Sequence, residues 1–177
     1  SDLQYERKEA LPINGLSLEK SIFKAIKRKD YLLYTPYHSF SFVIKFLREA
    51  ALDPEVTIIK ITIYRLSKFS NVASSLINAA KNGKKVLVQI ELQARFDETN
   101  NIIYAEQMQA AGVELIFGIP GLKVHSKICV IEKSTQGKKM RYGFISTGNF
   151  NEDTAIDVIM VKDTDGHSYY ALSCVEL

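Results

Sequence analysis

Two runs of aliphatic and β-branched residues constrain this chain more than anything else in it. They are Val56-Thr57-Ile58-Ile59-Lys60-Ile61-Thr62-Ile63-Tyr64 and Lys85-Val86-Leu87-Val88-Gln89-Ile90-Glu91-Leu92. Neither has a helical period, and both suit strands buried inside a sheet. Between them residues 71–81 read as a helix, with Ser67, Ser70 and Asn71 as possible caps and Asn82-Gly83 as its stop. Strand, helix and strand in succession require a crossover, and the same alternation continues on both sides. The expectation is an α/β fold: a mixed, mainly parallel sheet with helices packed on both faces, and strands 56–64 and 85–92 at its centre.

The other elements follow from spacing and punctuation. A helix over 17–28, capped by Ser17, aligns Leu18, Ile22, Phe23 and Ile26. Residues 31–34 are a short strand, and Thr35-Pro36-Tyr37-His38 is a turn. Ser39 precedes a helix with Phe42, Val43, Phe46, Leu47 and Ala50 on one side, stopped by Asp53-Pro54. A helix from about 99 to 111 ends at Gly112, and 113–117 is the next strand. Residues 1–16 show no period and read as a linker arriving from an upstream region.

At 177 residues, 46% hydrophobic and 24% charged, the chain has the size and composition of one globular domain. No apolar run approaches the about 20 residues of a membrane span, and the first residues lack a signal-peptide pattern. Cys129 sits in an apolar run and reads as a small core residue; with Cys174 it forms no metal-ligand spacing. The expected compartment is the cytoplasm, with attachment to a membrane surface left open. A net charge of +3 is too small to imply nucleic acid, and none is expected as a partner.

The chemistry concentrates after a Gly-Ile-Pro-Gly turn at 118–121. There His125 and Lys127 stand at the mouth of a short strand, and residues two apart on a strand share a face. An imidazole that attacks phosphorus and an ammonium that neutralises oxygens suit phosphate chemistry. From that pair alone a surface histidine and lysine would explain as much. After a hairpin-like insert at 133–140, the strand 141–145 leads into Ser146-Thr147-Gly148-Asn149-Phe150-Asn151. Such a loop can expose backbone N–H groups to an oxyanion, or be an ordinary polar turn. Arg65 and Arg95 each follow a buried strand, where an arginine fork can hold phosphate or form a structural ion pair, in the case of Arg95 with Asp97 or Glu98. Strand ends are where α/β folds gather functional residues, which favours one shared site for Arg65, Arg95 and Thr147. His38, at a turn, reads as a surface or capping residue, with facing the site as the lesser alternative, and His167 as a surface one.

His125-x-Lys127, an acid five positions later at Glu132, and Ser146-Thr147-Gly148-Asn149 together resemble the signature of the phospholipase D superfamily, although Glu132 stands for its Asp and Ser146 for its Gly. Within it, Ile63-Tyr64-Arg65, Asn82-Gly83-Lys84-Lys85-Val86, Glu91-Leu92-Gln93-Ala94-Arg95-Phe96-Asp97-Glu98, Pro120 to Lys127 and Thr147-Gly148-Asn149-Phe150-Asn151 are similar, in the same order, to the first C-terminal catalytic domain of family-1 polyphosphate kinases. The resemblance covers roughly 21–155. It implies a linker at 1–16, a catalytic domain at 17–155 and a divergent tail at 156–177.

It further implies reversible transfer of the terminal phosphate of ATP to inorganic polyphosphate through a phosphohistidine at His125. Lys127 and Asn149 would be catalytic, and Arg65, Arg95, Lys127 and Thr147 would bind phosphate. Mg²⁺ would be held near Arg65 and Arg95 through phosphate oxygens, since an arginine cannot ligate it. The implied partners are ATP or ADP, polyphosphate, the remaining domains of a longer enzyme, and further copies in a homo-oligomer. Val158 falls where the family has a nucleotide-site tyrosine, and no second His-x-Lys element is present, so these residues resemble half of an active site and are expected to be inactive in isolation. Two alternatives stand beside this: a dimeric phosphodiesterase or nuclease of the phospholipase D type, supported by Glu132, and a polyanion-binding domain without turnover of its own.

Overall fold

The computed structural model describes residues 9–35, 37–64, 66–91, 98–118, 126–150 and 157–163. The elements run α1 (Ile22–Ile26), β1 (Tyr31–Tyr34), α2 (Ser41–Leu52), β2 (Val56–Ile63), α3 (Asn71–Lys81), β3 (Lys85–Ile90), α4 (Glu98–Ala110), β4 (Glu114–Phe117), β5 (Lys127–Thr135), β6 (Lys138–Ser146) and β7 (Asp157–Asp163). All seven strands form one sheet in the order β1-β7-β6-β5-β2-β3-β4.

The sheet is mixed, as expected, but its weighting is not. Only β2–β3 and β3–β4 are parallel, joined by the crossovers through α3 and α4. The pairs β1–β7, β7–β6, β6–β5 and β5–β2 are antiparallel. The middle strand is β5, with β2 beside it and β3 next to the edge. The cause lies at 133–140, where the hairpin-like insert is the far end of one long hairpin. Its turn is Gln136-Gly137, with φ of 50° and 77°. Two positive φ values are the mark of a type I′ turn, which matches strand twist and joins only antiparallel neighbours.

Helix α1 is shorter than its hydrophobic spacing implies. Glu49 of α2 accepts the Ser21 hydroxyl and, at 2.8 Å, the Ile22 N–H, while Ser21 Oγ caps Lys24 N at 3.2 Å. That double anchor sets the helix start at Ser21 instead of Ser17, and Leu18 is left exposed. At α3 the expected cap holds: Ser70 Oγ accepts from Ala73 N at 3.2 Å.

On the helix side, alternate strand residues, Ile59, Ile61 and Ile63 with Val88, Ile90, Cys129, Ile131, Phe144 and Met160, join Phe46, Leu47, Leu76 and Met108 in one buried core. Rings link the layers: Phe23 to Phe46 at 4.8 Å, Phe23 to Tyr142 at 5.0 Å, and Phe144 to Phe150 at 4.7 Å between centroids. Neighbouring helices α1–α2, α2–α3 and α3–α4 touch one another over this face. Among the described residues no helix covers the opposite face, where Leu32, Ile116 and Ile159 are exposed; the expected second helical layer is not part of what is described. Residues 157–163, expected within the tail, are strand β7 between β1 and β6.

Candidate active site

One edge of the sheet collects the chain ends that matter. Because β5 runs antiparallel to β2 and β6, its first residue, Lys127, lies beside the carboxyl ends of both. Lys127 pairs directly with Ser146, the last residue of β6. The carboxyl end of β3 reaches the same edge, where Glu91 N donates to Ile63 O at 3.0 Å. Tyr64, Glu91, Ser126 and Thr147 therefore sit along one rim. Arg65, Arg95 and His125 themselves lie outside the described residues.

Lys127 is only 4% exposed, with its Nζ 5.4 Å from the centroid of the Tyr64 ring. Burial pushes its ammonium pKa below the ordinary lysine value of 10.5. A desolvated cation at a strand end gains more from a phosphate than one in water, because the local dielectric is low. Its backbone is fixed by Thr62, whose hydroxyl donates to Ser126 O at 2.6 Å and accepts from Ile128 N at 3.0 Å. Thr62 had no place in the sequence argument; a threonine inside an apolar strand gives no signal of such a clamp.

The loop after β6 is held at both ends. Ser146 Oγ accepts from Gly148 N at 3.0 Å, and Phe150 is buried against Phe144. The N–H of Gly148 is thus occupied inside the loop, which at that amide fits the ordinary polar turn of the two alternatives. The Ser that replaces the superfamily's Gly is the group that occupies it. Thr147 is exposed between these anchors. Asn149 Oδ1 is buried and, among the described residues, has no hydrogen-bond partner. A buried acceptor without a donor is uncommon and marks a place where a donor belongs.

Lys127 and the loop that carries Thr147 and Asn149 therefore start from one rim; Glu132 does not lie there. Five residues along a strand is an odd step, so Glu132 faces away from Lys127, about 17 Å along β5. There it is 7% exposed and pairs with Lys60 at 3.8 Å and Arg141 at 4.0 Å. Its role there is a structural one, as the counter-charge of Lys60 and Arg141. His38 closes the turn after β1, its Nδ1 accepting from Tyr34 N at 2.9 Å, in line with the capping role expected of it. Cys129 is a buried core thiol whose pKa burial pushes up, as an unreactive residue requires. Val158 is fully buried in β7 opposite Ser146. His167 lies outside the described residues.

The profile of the family described as polyphosphate kinase C-terminal domain 1 matches residues 21–163. Over 133 residues the chain is 53% identical to the polyphosphate kinase of Escherichia coli (strain K12), covering 75% of this chain and 19% of that protein. The crystal structure of polyphosphate kinase from Porphyromonas gingivalis superposes with a TM-score of 0.80 at 39% identity, covering 97% of this chain and 29% of that one. A phospholipase D family member, Nuc from Salmonella typhimurium, shares the fold at a TM-score of 0.61 and 15% identity, over 82% of this chain and 90% of that one. The chain spans about a fifth of the length of the curated relatives it matches.

Proposed function

Since this chain belongs to the polyphosphate kinase family, as its C-terminal domain 1, we propose that it supplies the nucleophile side of a site that moves the terminal phosphoryl group of ATP reversibly onto inorganic polyphosphate. A ring nitrogen of His125 attacks the terminal phosphorus. The N–P bond forms as the bond to the bridging oxygen breaks, and ADP leaves with that electron pair. A terminal oxygen of polyphosphate then attacks the same phosphorus, the N–P bond breaks, and the neutral imidazole returns. Dividing the transfer at nitrogen gives two lower barriers in place of one.

Lys127 stabilises negative charge on the transferring oxygens, and its burial strengthens that interaction. Asn149 accepts a hydrogen bond through Oδ1, from the His125 side or from the phosphoryl acceptor, and so orients the reacting pair. Arg65 and Arg95 grip the flanking phosphates through paired N–H donors. Among the described residues no three acidic, histidine or cysteine side chains gather round one point. Mg²⁺ would be carried on phosphate oxygens and water near Arg65 and Arg95, since an arginine cannot ligate it. When bound, the ion shields phosphate charge.

The observation that supports this reading is that a desolvated Lys127 pairs with Ser146 at the rim, three residues before Asn149, whose buried Oδ1 has no partner among the described residues. The test uses the complete protein that contains these residues. Incubation with ATP labelled in its terminal phosphate should place acid-labile, base-stable label on His125. His125→Ala should abolish synthesis without lowering the melting temperature. Full activity in that variant would refute the mechanism.

A further inference from the structure

Helix α4 carries a buried amide whose bonds all leave the helix. Asn101 is 0% exposed. Its Nδ2 donates to Tyr64 O and to Glu91 O, each at 3.1 Å, and its Oδ1 accepts from Leu66 N at 3.1 Å. These groups belong to the chain just past the ends of β2 and β3, where the sheet ladder stops serving the backbone. One turn on, the Tyr104 hydroxyl accepts from Ser70 N at 2.9 Å and donates to Lys68 O at 3.2 Å. Residues three apart share a helix face. One face of α4 thus grips the backbone at 64, 66, 68 and 70, every second residue of the segment between β2 and α3.

We propose that Asn101 is a positioning residue that fixes the Arg65 segment for phosphate binding, an assignment that rests on the phosphoryl-transfer reading above. The amide holds the residues on both sides of position 65, Tyr64 by its carbonyl and Leu66 by its N–H. An apolar side chain in its place would remove all three of these bonds, two of them buried, and free the segment to rearrange. The bond to Glu91 O ties the same amide to the start of the segment that leads to Arg95. Tyr104 extends this hold to Ser70, the cap of α3, so the register of the segment is fixed at both ends.

The test is a double-mutant cycle in the complete enzyme, with kcat and KM for ATP-dependent polyphosphate synthesis and melting temperatures measured on every variant. Arg65→Ala and Asn101→Ala should each lower kcat/KM about tenfold or more. If Asn101 acts through Arg65, adding Asn101→Ala to Arg65→Ala should cost less than about twofold more. A purely structural asparagine would impose its full loss in both backgrounds, and that result overturns the proposal, as do parental kinetics for Asn101→Ala. Should Asn101→Ala not accumulate folded, Tyr104→Phe enters the same cycle, with a loss of about threefold that vanishes beside Arg65→Ala; a loss that persists there, or none in either background, overturns it. Parental kinetics for Arg65→Ala remove the arginine's role and this assignment while leaving the function standing. A wild-type enzyme that makes no polyphosphate from ATP refutes the function itself.

Discussion

Gly143 offers a test of the frame on which the site is built. It lies in β6 opposite Val130, three residues before Ser146. A methyl group there would overlap the carbonyl oxygen of Cys129 and sit 3.2 Å from its carbon and 3.5 Å from Val130 Cα. All three neighbours are backbone atoms of β5, so no side chain can turn aside. Gly143→Ala must push the middle strand away from β6 or tilt the carbonyl out of the ladder. Overpacking of this kind costs about 1–3 kcal/mol, and each ladder hydrogen bond lost adds about 1 kcal/mol. A destabilisation of about 3–5 kcal/mol is therefore expected, a large part of a domain's net stability. Urea unfolding of the complete protein's purified variants, followed by circular dichroism, should show the midpoint falling with the slope unchanged. A loss below about 1 kcal/mol would mean that β5 and β6 do not approach as described, and would undermine the Lys127–Ser146 pairing.

Lys127 titrates below the ordinary lysine value of 10.5 because it is buried. If its ammonium grips phosphate, polyphosphate affinity measured calorimetrically should fall as pH rises through that lowered value; affinity flat up to the ordinary range would count against it. Lys133 moves the other way: burial alone would lower it, but hydrogen bonds to Asp53, at 2.6 Å, and Glu55, at 3.2 Å, outweigh that and raise it. Its stabilisation should be complete below the unfolded lysine pKa and lost as pH rises through the raised folded value, and Lys133→Met should cost about 2 kcal/mol in neutral urea titrations. Asn149→Ala removes an acceptor that has no described partner, so stability should hardly change while synthesis falls about 100-fold; equal losses in both would make it structural. The 177 residues alone should bind polyphosphate weakly, with affinity falling steeply in salt, and make none from ATP; robust synthesis by them would overturn the half-site argument.

The fold was legible wherever burial wrote a period into the chain. Strands at 56–63 and 85–90, the helix between them and its Asn-Gly stop are present where the runs 56–64 and 85–92 placed them, because β-branched strands and glycine C-caps are local physics. Strand direction was not legible. Lys133 to Met140 reads as a hairpin-like insert, but its polar composition hides that β5 and β6 run unbroken through it to the turn. Gln136-Gly137 was the available signal, weaker than Asn-Gly, yet it decides whether β5 and β6 run antiparallel. Helix α1 failed for a different reason: Glu49, distant in sequence, captures Ser21 and resets the start.

At the site, side chains that act outward were legible and those that act on backbone were not. Lys127 and Asn149 carry chemistry in their identity and spacing. Thr62 and Asn101 look like ordinary residues of a strand and a helix, and their work is defined by carbonyls and amides 10 to 66 positions away. Glu132 shows the converse. Its spacing from Lys127 matches a catalytic signature, but a continuous strand turns every odd step to the other face. The distance of five was itself enough to separate Glu132 from the lysine once β5 was recognised as unbroken from 127 to 135. The carboxylate then needs counter-charges on its own face, and Lys60 and Arg141, one on each neighbouring strand, are placed there to meet it.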